Sequence, residues 1–257
     1  MKSIAIWAAS CGLLLSPAMN CFAQETEPEA PKIVPVELYV CNFNDGKGPS
    51  DLDAWSTQWN AWADSANLAP YSGYTLAPFY FGNDQDFDFI WLGVSPDAVS
   101  MGRAYDQYST SSGSLAADFN EMADCGAHSN FATMNIKKPP EDDATSFILT
   151  FSDCKIDEGK TFDDVHPALK AWAEYRSANG SEAGMWVMWP AYGGGKVEFD
   201  FKWITSYRSH ESLGVDYDQY VSGGYEKGGE LFSGLLDCDV SRAYVTTQRR
   251  DGIPDDD

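Results

Sequence analysis

The chain repeats itself, and that repeat limits the possible folds more than any other feature of the sequence. Cys41 and Cys154 stand 113 positions apart, and each precedes an acidic-Gly-Lys run, Asp45-Gly46-Lys47 and Glu158-Gly159-Lys160. Trp62-Ala63-Asp64 matches Trp172-Ala173-Glu174 at a spacing of 110. Asp86-Phe87-Asp88-Phe89-Ile90-Trp91 matches Glu198-Phe199-Asp200-Phe201-Lys202-Trp203 at 112, as Tyr105-Asp106-Gln107-Tyr108 does Tyr217-Asp218-Gln219-Tyr220. Cys125 and Cys238 return to 113. The offset changes only in Gly-, Ser- or Asp-rich stretches, where loops tolerate insertions. Matches that keep their order over such a distance read as a tandem duplication of one unit of ~100 residues, a common domain size.

Reading the two copies together sharpens the periodicities. Val36, Leu38 and Val40 alternate as a strand, matched by Leu149 and Phe151. Leu52, Trp55, Trp59 and Trp62 fall on one helical stripe, kept in the second copy as Phe162, Val165, Leu169 and Trp172. Pro167 interrupts that second stripe, which predicts a helix starting near Asp164 with the proline in its first turn. Strands are predicted at Tyr74–Tyr80 and Trp186–Tyr192, where Pro78 and Pro190 suit sheet edges. Phe87, Phe89 and Trp91 alternate, as do Phe199, Phe201 and Trp203. A second helix carries Met101, Tyr105 and Tyr108 (Leu213, Tyr217 and Tyr220), and last strands are predicted at Phe131–Ile136 and Ala243–Gln248.

The resulting order, β-α-β-β-α-β twice, is the ferredoxin-like split βαβ unit. The fold class is therefore α+β: two tandem modules, 35–138 and 146–250, joined by a linker at 139–145. Composition alone leaves three pairings open for Cys41, Cys125, Cys154 and Cys238. The 4-1-3-2 strand order of this unit sets first and last strands side by side, which pairs Cys41 with Cys125 and Cys154 with Cys238. One such sheet has helices on a single face, and two modules in one chain can cover each other. The architecture resembles the dimeric α+β-barrel superfamily, closed here within one chain. That resemblance implies a small organic ligand and, among known members, either cofactor-independent monooxygenase chemistry or haem binding as in chlorite dismutase. It also suggests kinship with uncharacterised exported bacterial proteins that carry the Asp-Phe-Asp-Phe-Ile-Trp-Leu-Gly block at 86–93.

The N-terminus reads as an export signal over 1–23: Lys2, an apolar run from Ile4 to Leu15, Pro17, and small residues ahead of Gln24. A run that short falls below the ~20 residues a membrane helix needs, and no later run is long enough, so membrane insertion is not expected. A Glu/Pro-rich linker at 24–34 and an acidic tail at 251–257 frame the modules. An even number of cysteines after the signal agrees with a periplasmic or secreted location. The net charge of −22 at pH 7 repels nucleic acid and anionic lipid.

Chemical signatures are sparse. No nucleophile elbow, His-Glu-x-x-His or phosphate loop is present, and no cofactor or metal is expected from the motifs. The three histidines, His128, His166 and His210, do not recur between copies; a haem protein of this class would need one as axial ligand. With Phe87, Phe89 and Trp91 assigned to the helices, the opposite face of the sheet receives Asp88, together with Glu37 and Tyr39, and Asp200 with Lys202. If those faces meet, Asp88, Asp200 and Lys202 form the candidate catalytic group, two carboxylates about a pseudo-twofold axis with one amine breaking the symmetry. The expected function is an exported small-molecule-binding α+β barrel acting as a cofactor-independent oxidoreductase. The alternatives are a non-enzymatic binding protein with an acidic surface, and a haem-binding barrel.

Overall fold

The structure, a computed structural model, describes residues 32–83, 85–141 and 144–253. The export signal expected at 1–23 lies outside them, as do most of the first linker and the last four residues. The elements are β1 (Ile33–Phe43), α1 (Pro49–Ser65), β2 (Ser72–Tyr80), β3 (Phe89–Val94), α2 (Ala98–Ser111), α3 (Leu115–Met122) and β4 (Ala123–Lys137), followed by β5 (Ser146–Ile156), α4 (Phe162–Ala178), β6 (Gly184–Tyr192), β7 (Phe201–Tyr207), α5 (His210–Gln219), α6 (Tyr225–Phe232), β8 (Leu236–Cys238) and β9 (Arg242–Arg250). A π-helical turn at Tyr220–Gly224 joins α5 to α6.

Local signals set the helix ends. Pro49 opens α1 and the Asp51 carboxylate accepts from the Gly48 N–H, satisfying a donor that the helix itself leaves free. Its stripe buries Leu52, Trp55, Trp59 and Ala63 against the sheet. In α4 the Thr161–Asp164 capping box starts the helix at Phe162, two residues before the point that Pro167 alone suggests. Pro167 is thus inside the helix, where it forfeits one backbone hydrogen bond; the cap and the buried Val165, Ala168 and Leu169 outweigh it.

Each half follows the 4-1-3-2 order, as β4-β1-β3-β2 and β9-β5-β7-β6. The last strand of one half pairs with the second strand of the other, β4 with β6 and β9 with β2, so eight antiparallel strands close on themselves. Closure removes the free edges of an open sheet. Pro78 and Pro190 are accordingly not at open edges. They stand at the two junctions, opposite Tyr244 and Phe131, where the register slips by a bulge, a position that tolerates a residue without an N–H.

The interior of the barrel is filled by Val36, Leu38, Leu76, Ile90, Leu92 and Phe131 from the first half and Leu149, Phe151, Met188, Ile204 and Tyr244 from the second. Each such apolar side chain contributes about 1.5–3 kcal/mol by leaving water. Two further cores lie outside the barrel wall, each under the helices of one half. Phe89 and Trp91 face the helices as expected, but Phe87 and Phe199 pack on the barrel core. The third strands begin only at Phe89 and Phe201, so alternation does not extend back to these two rings.

The disulfides are Cys41–Cys125 and Cys154–Cys238. The first couples β1 to β4, beside a bulge between Val40 and Cys41. Asp251 and Gly252, expected in a solvated tail, instead dock on Ser72: the Gly252 N–H donates to the Ser72 hydroxyl at 3.1 Å.

Candidate functional site

The expected inter-sheet group does not assemble. The Asp88 carboxylate is exposed and accepts the Phe43 N–H at 2.7 Å; Asp200, its counterpart, is exposed and accepts the Ile156 N–H at 2.7 Å. Both precede their strands and tie down the end of the first strand of their own half. Lys202 alone turns toward the barrel, at its mouth. It is paired there with Asp153 at 2.5 Å and lies 4.2 Å from the Phe199 ring centre, and Arg242 reaches the same carboxylate at 3.4 Å. Burial lowers the Lys202 pKa and the Asp153 pair opposes that shift. The three residues therefore do not share a site: the barrel interior they were to line is apolar and packed.

The other side of the sheet holds a different arrangement. Residues directly opposite in an antiparallel ladder share a face. Tyr39 is opposite Trp91 and Glu37 opposite Gly93, so both belong to the helix side of the wall, whereas Val36, Leu38 and Val40 face the barrel. Glu37 is 1% exposed. Burying a carboxylate costs several kcal/mol unless donors replace its water, and here they do. The Tyr71 hydroxyl donates to Oε1 at 2.6 Å, and the Tyr105 hydroxyl to Oε2 at 2.6 Å. His128 Nε2 lies 2.7 Å from Oε2. Charge-assisted bonds of this kind are about twice as strong as neutral ones.

A second tier fixes the donors. Trp91 Nε1–H donates to the Tyr71 oxygen at 2.8 Å, and the His128 ring stacks on Tyr39 with centroids 3.6 Å apart. The cluster draws on four places: Tyr39 from β1, Tyr71 from the loop before β2, Tyr105 from α2 and His128 from β4. Burial, and then the charge of Glu37, push the phenols of Tyr39, Tyr71 and Tyr105 far above the ordinary value. They stay protonated at neutral pH, and Tyr71 and Tyr105 present hydrogens, not lone pairs, to the carboxylate.

This cluster forms one end of a cavity of about 340 Å³ between the sheet and α1, α2 and α3, walled by Trp55, Trp59, Trp62, Tyr108 and Phe119 among others. Volumes of this order suit a small organic ligand. The indoles are anchored from behind, Trp55 Nε1–H donating to the Leu115 carbonyl at 3.0 Å and Trp62 Nε1–H to that of Ser111 at 2.9 Å. Those bonds hold the α2–α3 corner over α1. Burial, and then Asp118, raise the Tyr108 pKa to about 12.

No family model matches the sequence, and no curated protein matches it. Solved structures do match. A variant chlorite dismutase from Candidatus Nitrospira defluvii superposes with a TM-score of 0.51 at 6% identity, over 83% of this chain and 91% of that one. A protein from Lactobacillus acidophilus NCFM proposed to be a monooxygenase gives 0.51 at 10% identity, over 86% and 95%. An anthrone oxidase-like protein gives 0.50 at 9% identity, over 89% and 98%. The fold is that of the dimeric α+β barrels. At such identities the likeness speaks of fold alone.

Among the described residues, only the first half of this α+β barrel carries the cluster. At the offsets of the repeat, Glu37, Tyr39, Tyr71 and His128 correspond to Thr150, Ser152, Ala183 and Ser241. Tyr217, the counterpart of Tyr105, is 66% exposed. Val165 and Leu169 stand where the first half has Trp55 and Trp59, and a buried Arg176–Asp216 pair, joined by Tyr207, occupies the helix–sheet layer. Two sequence signals point to Glu37: an acid between Val36 and Leu38 in a core strand, and its replacement by threonine in the other copy.

Proposed function

We propose that this protein is an exported α+β barrel that binds a small organic molecule in the helix–sheet cavity of its first half. One observation carries the reading: an almost fully buried carboxylate, ringed by three hydrogen-bonding side chains, lines an aromatic cavity, and the other half of the same chain has threonine in its place. A merely structural carboxylate would not need an open cavity beside it. The two disulfides support export, because such bonds persist in oxidising compartments.

If the bound molecule is a substrate, Glu37 is the group placed to take a proton from it, with Tyr71 and Tyr105 steadying the charge. A cofactor-independent oxidoreductase that activates its substrate for reaction with dioxygen would use that step; two structures of this fold are named as a proposed monooxygenase and an anthrone oxidase-like protein. The haem alternative fits the residues poorly. His128 Nε2 is held by Glu37, and neither His166, stacked on Phe162, nor His210, against Phe79, lines the cavity. No described histidine thus offers an axial nitrogen there.

Four tryptophans line the cavity, Trp55, Trp59, Trp62 and Trp91, so an occupant changes their emission. Titrating small aromatic compounds while following tryptophan fluorescence tests the reading. Saturable quenching that disappears on filling the cavity with Ala104→Phe is expected. Quenching that Ala104→Phe leaves intact defeats it.

A further inference from the structure

We propose that the ligand of this cavity is an organic cation, an alkyl- or arylammonium. The proposal rests on the reading that the cavity is a ligand site and adds the charge of the occupant. Among the described residues, the charged side chains lining the cavity are Glu37 and Asp124, and no lysine or arginine lines it. His128 meets Glu37 but is not among the lining residues. An anion would enter a space with two carboxylates and no counter-charge. A cation would find both.

The walls point the same way. Nine of the lining side chains are aromatic. Their rings meet at steep angles: Trp55 and Trp59 stand at 82° and 86° to Trp91, and Trp62 at 81° to Tyr108. Walls built that way present ring faces from more than one side, and the face of an aromatic ring attracts a cation, the indole most strongly. The second half has valine and leucine where this half has Trp55 and Trp59, and Thr150 where this half has Glu37.

Glu37 keeps room for such a partner. Oε1 accepts one tyrosine while Oε2 accepts Tyr105 and meets His128, and a carboxylate has about four acceptor sites. The phenols, unable to ionise near neutrality, cannot screen the charge by proton exchange. The net charge of −22 further raises the concentration of cations near the surface.

The test compares three probes on the disulfide-bonded protein by calorimetry: phenyltrimethylammonium, its neutral isostere tert-butylbenzene, and benzoate. The cation should bind at least about tenfold more tightly than the isostere, with benzoate weakest. Glu37→Gln should lower affinity for the cation about tenfold and leave the isostere within about twofold. Asp124→Asn, at an exposed position, should fold whatever becomes of Glu37→Gln, and should weaken the cation alone. Equal binding of cation and isostere overturns the proposal while the cavity reading stands. Absence of binding by all three at millimolar concentration overturns both.

Discussion

Gly93 lies directly across the β1–β3 ladder from Glu37, and a methyl group there would sit 2.0 Å from the Tyr71 hydroxyl and 2.7 Å from Glu37 Oε1. The glycine is what lets a phenol and a carboxylate share the surface of the sheet. The second half has Thr205 at this place and no such pair. Gly93→Ala should therefore displace Tyr71, destabilise the protein by about 1–3 kcal/mol and abolish ligand binding. Gly102→Ala, in α2 with open space around it, should be neutral or stabilising by up to ~1 kcal/mol. Urea denaturation of both variants beside the wild type decides the matter.

The two tyrosines on Glu37 should differ in weight. Tyr71 is buried, donates to Glu37 and accepts from Trp91, so Tyr71→Phe leaves two polar groups short of a partner. A loss of about 2–4 kcal/mol is expected. Tyr105 is 37% exposed, and water can replace its hydroxyl in Tyr105→Phe, so the cost should stay below about 1.5 kcal/mol. Equal costs would mean that Glu37 is solvated and the cluster loosely held.

Much of the fold was legible because both copies voted on it. The alternation at Val36, Leu38 and Val40 and the repeated aromatic pairs give the strand order, and that order pairs the cysteines. The site was less legible for three physical reasons. Alternation separates two faces of β1 without saying which one meets the helices, and putting Glu37 and Tyr39 on the face away from the helices sets them beside Asp88. Tyr71 lies in the loop before β2, where no period marks it. His128 precedes the last strand expected at Phe131–Ile136, but β4 runs from Ala123, held along β1 by the Cys41–Cys125 bridge.

Asp88 and Asp200 should behave as anchors of backbone. Each accepts one strand N–H at 2.7 Å in an exposed setting. Asp88→Asn and Asp200→Asn should each cost about 0.5–1.5 kcal/mol and leave probe affinity unchanged. A loss of binding in either one would return them to the list of site residues.

The two disulfides span equal separations of 84 residues, so removing either should cost a similar ~2–4 kcal/mol through the unfolded chain. Their effect on the ligand should differ. Cys125 lines the cavity, and its bond to Cys41 fixes the strand that carries His128. The Cys41→Ser/Cys125→Ser variant should lose ligand affinity under conditions where it remains folded. Cys154→Ser/Cys238→Ser, in the half without the cluster, should keep it.

Alkaline pH gives the last test, and its sign is fixed by the buried phenols. Burial and the Glu37 charge raise the Tyr71 pKa well above its ordinary value of 10.0. Below pH 10 the phenol is protonated in both folded and unfolded chains, and its contribution to stability is fully present. Above pH 10 the unfolded chain releases the proton while the folded chain keeps it, so stability falls as pH rises. For Tyr71 alone the slope is about 1.4 kcal/mol per pH unit, and Tyr39 adds to it in the same direction. Urea midpoints at pH 9, 10 and 11 should therefore decline over the upper interval, and Tyr71→Phe should decline less steeply than the wild type. The comparison separates Tyr71 from the general repulsion of a chain with net charge −22, which both proteins share. Parallel declines would show that Tyr71 titrates as a solvated phenol and that the Glu37 cluster is open to water.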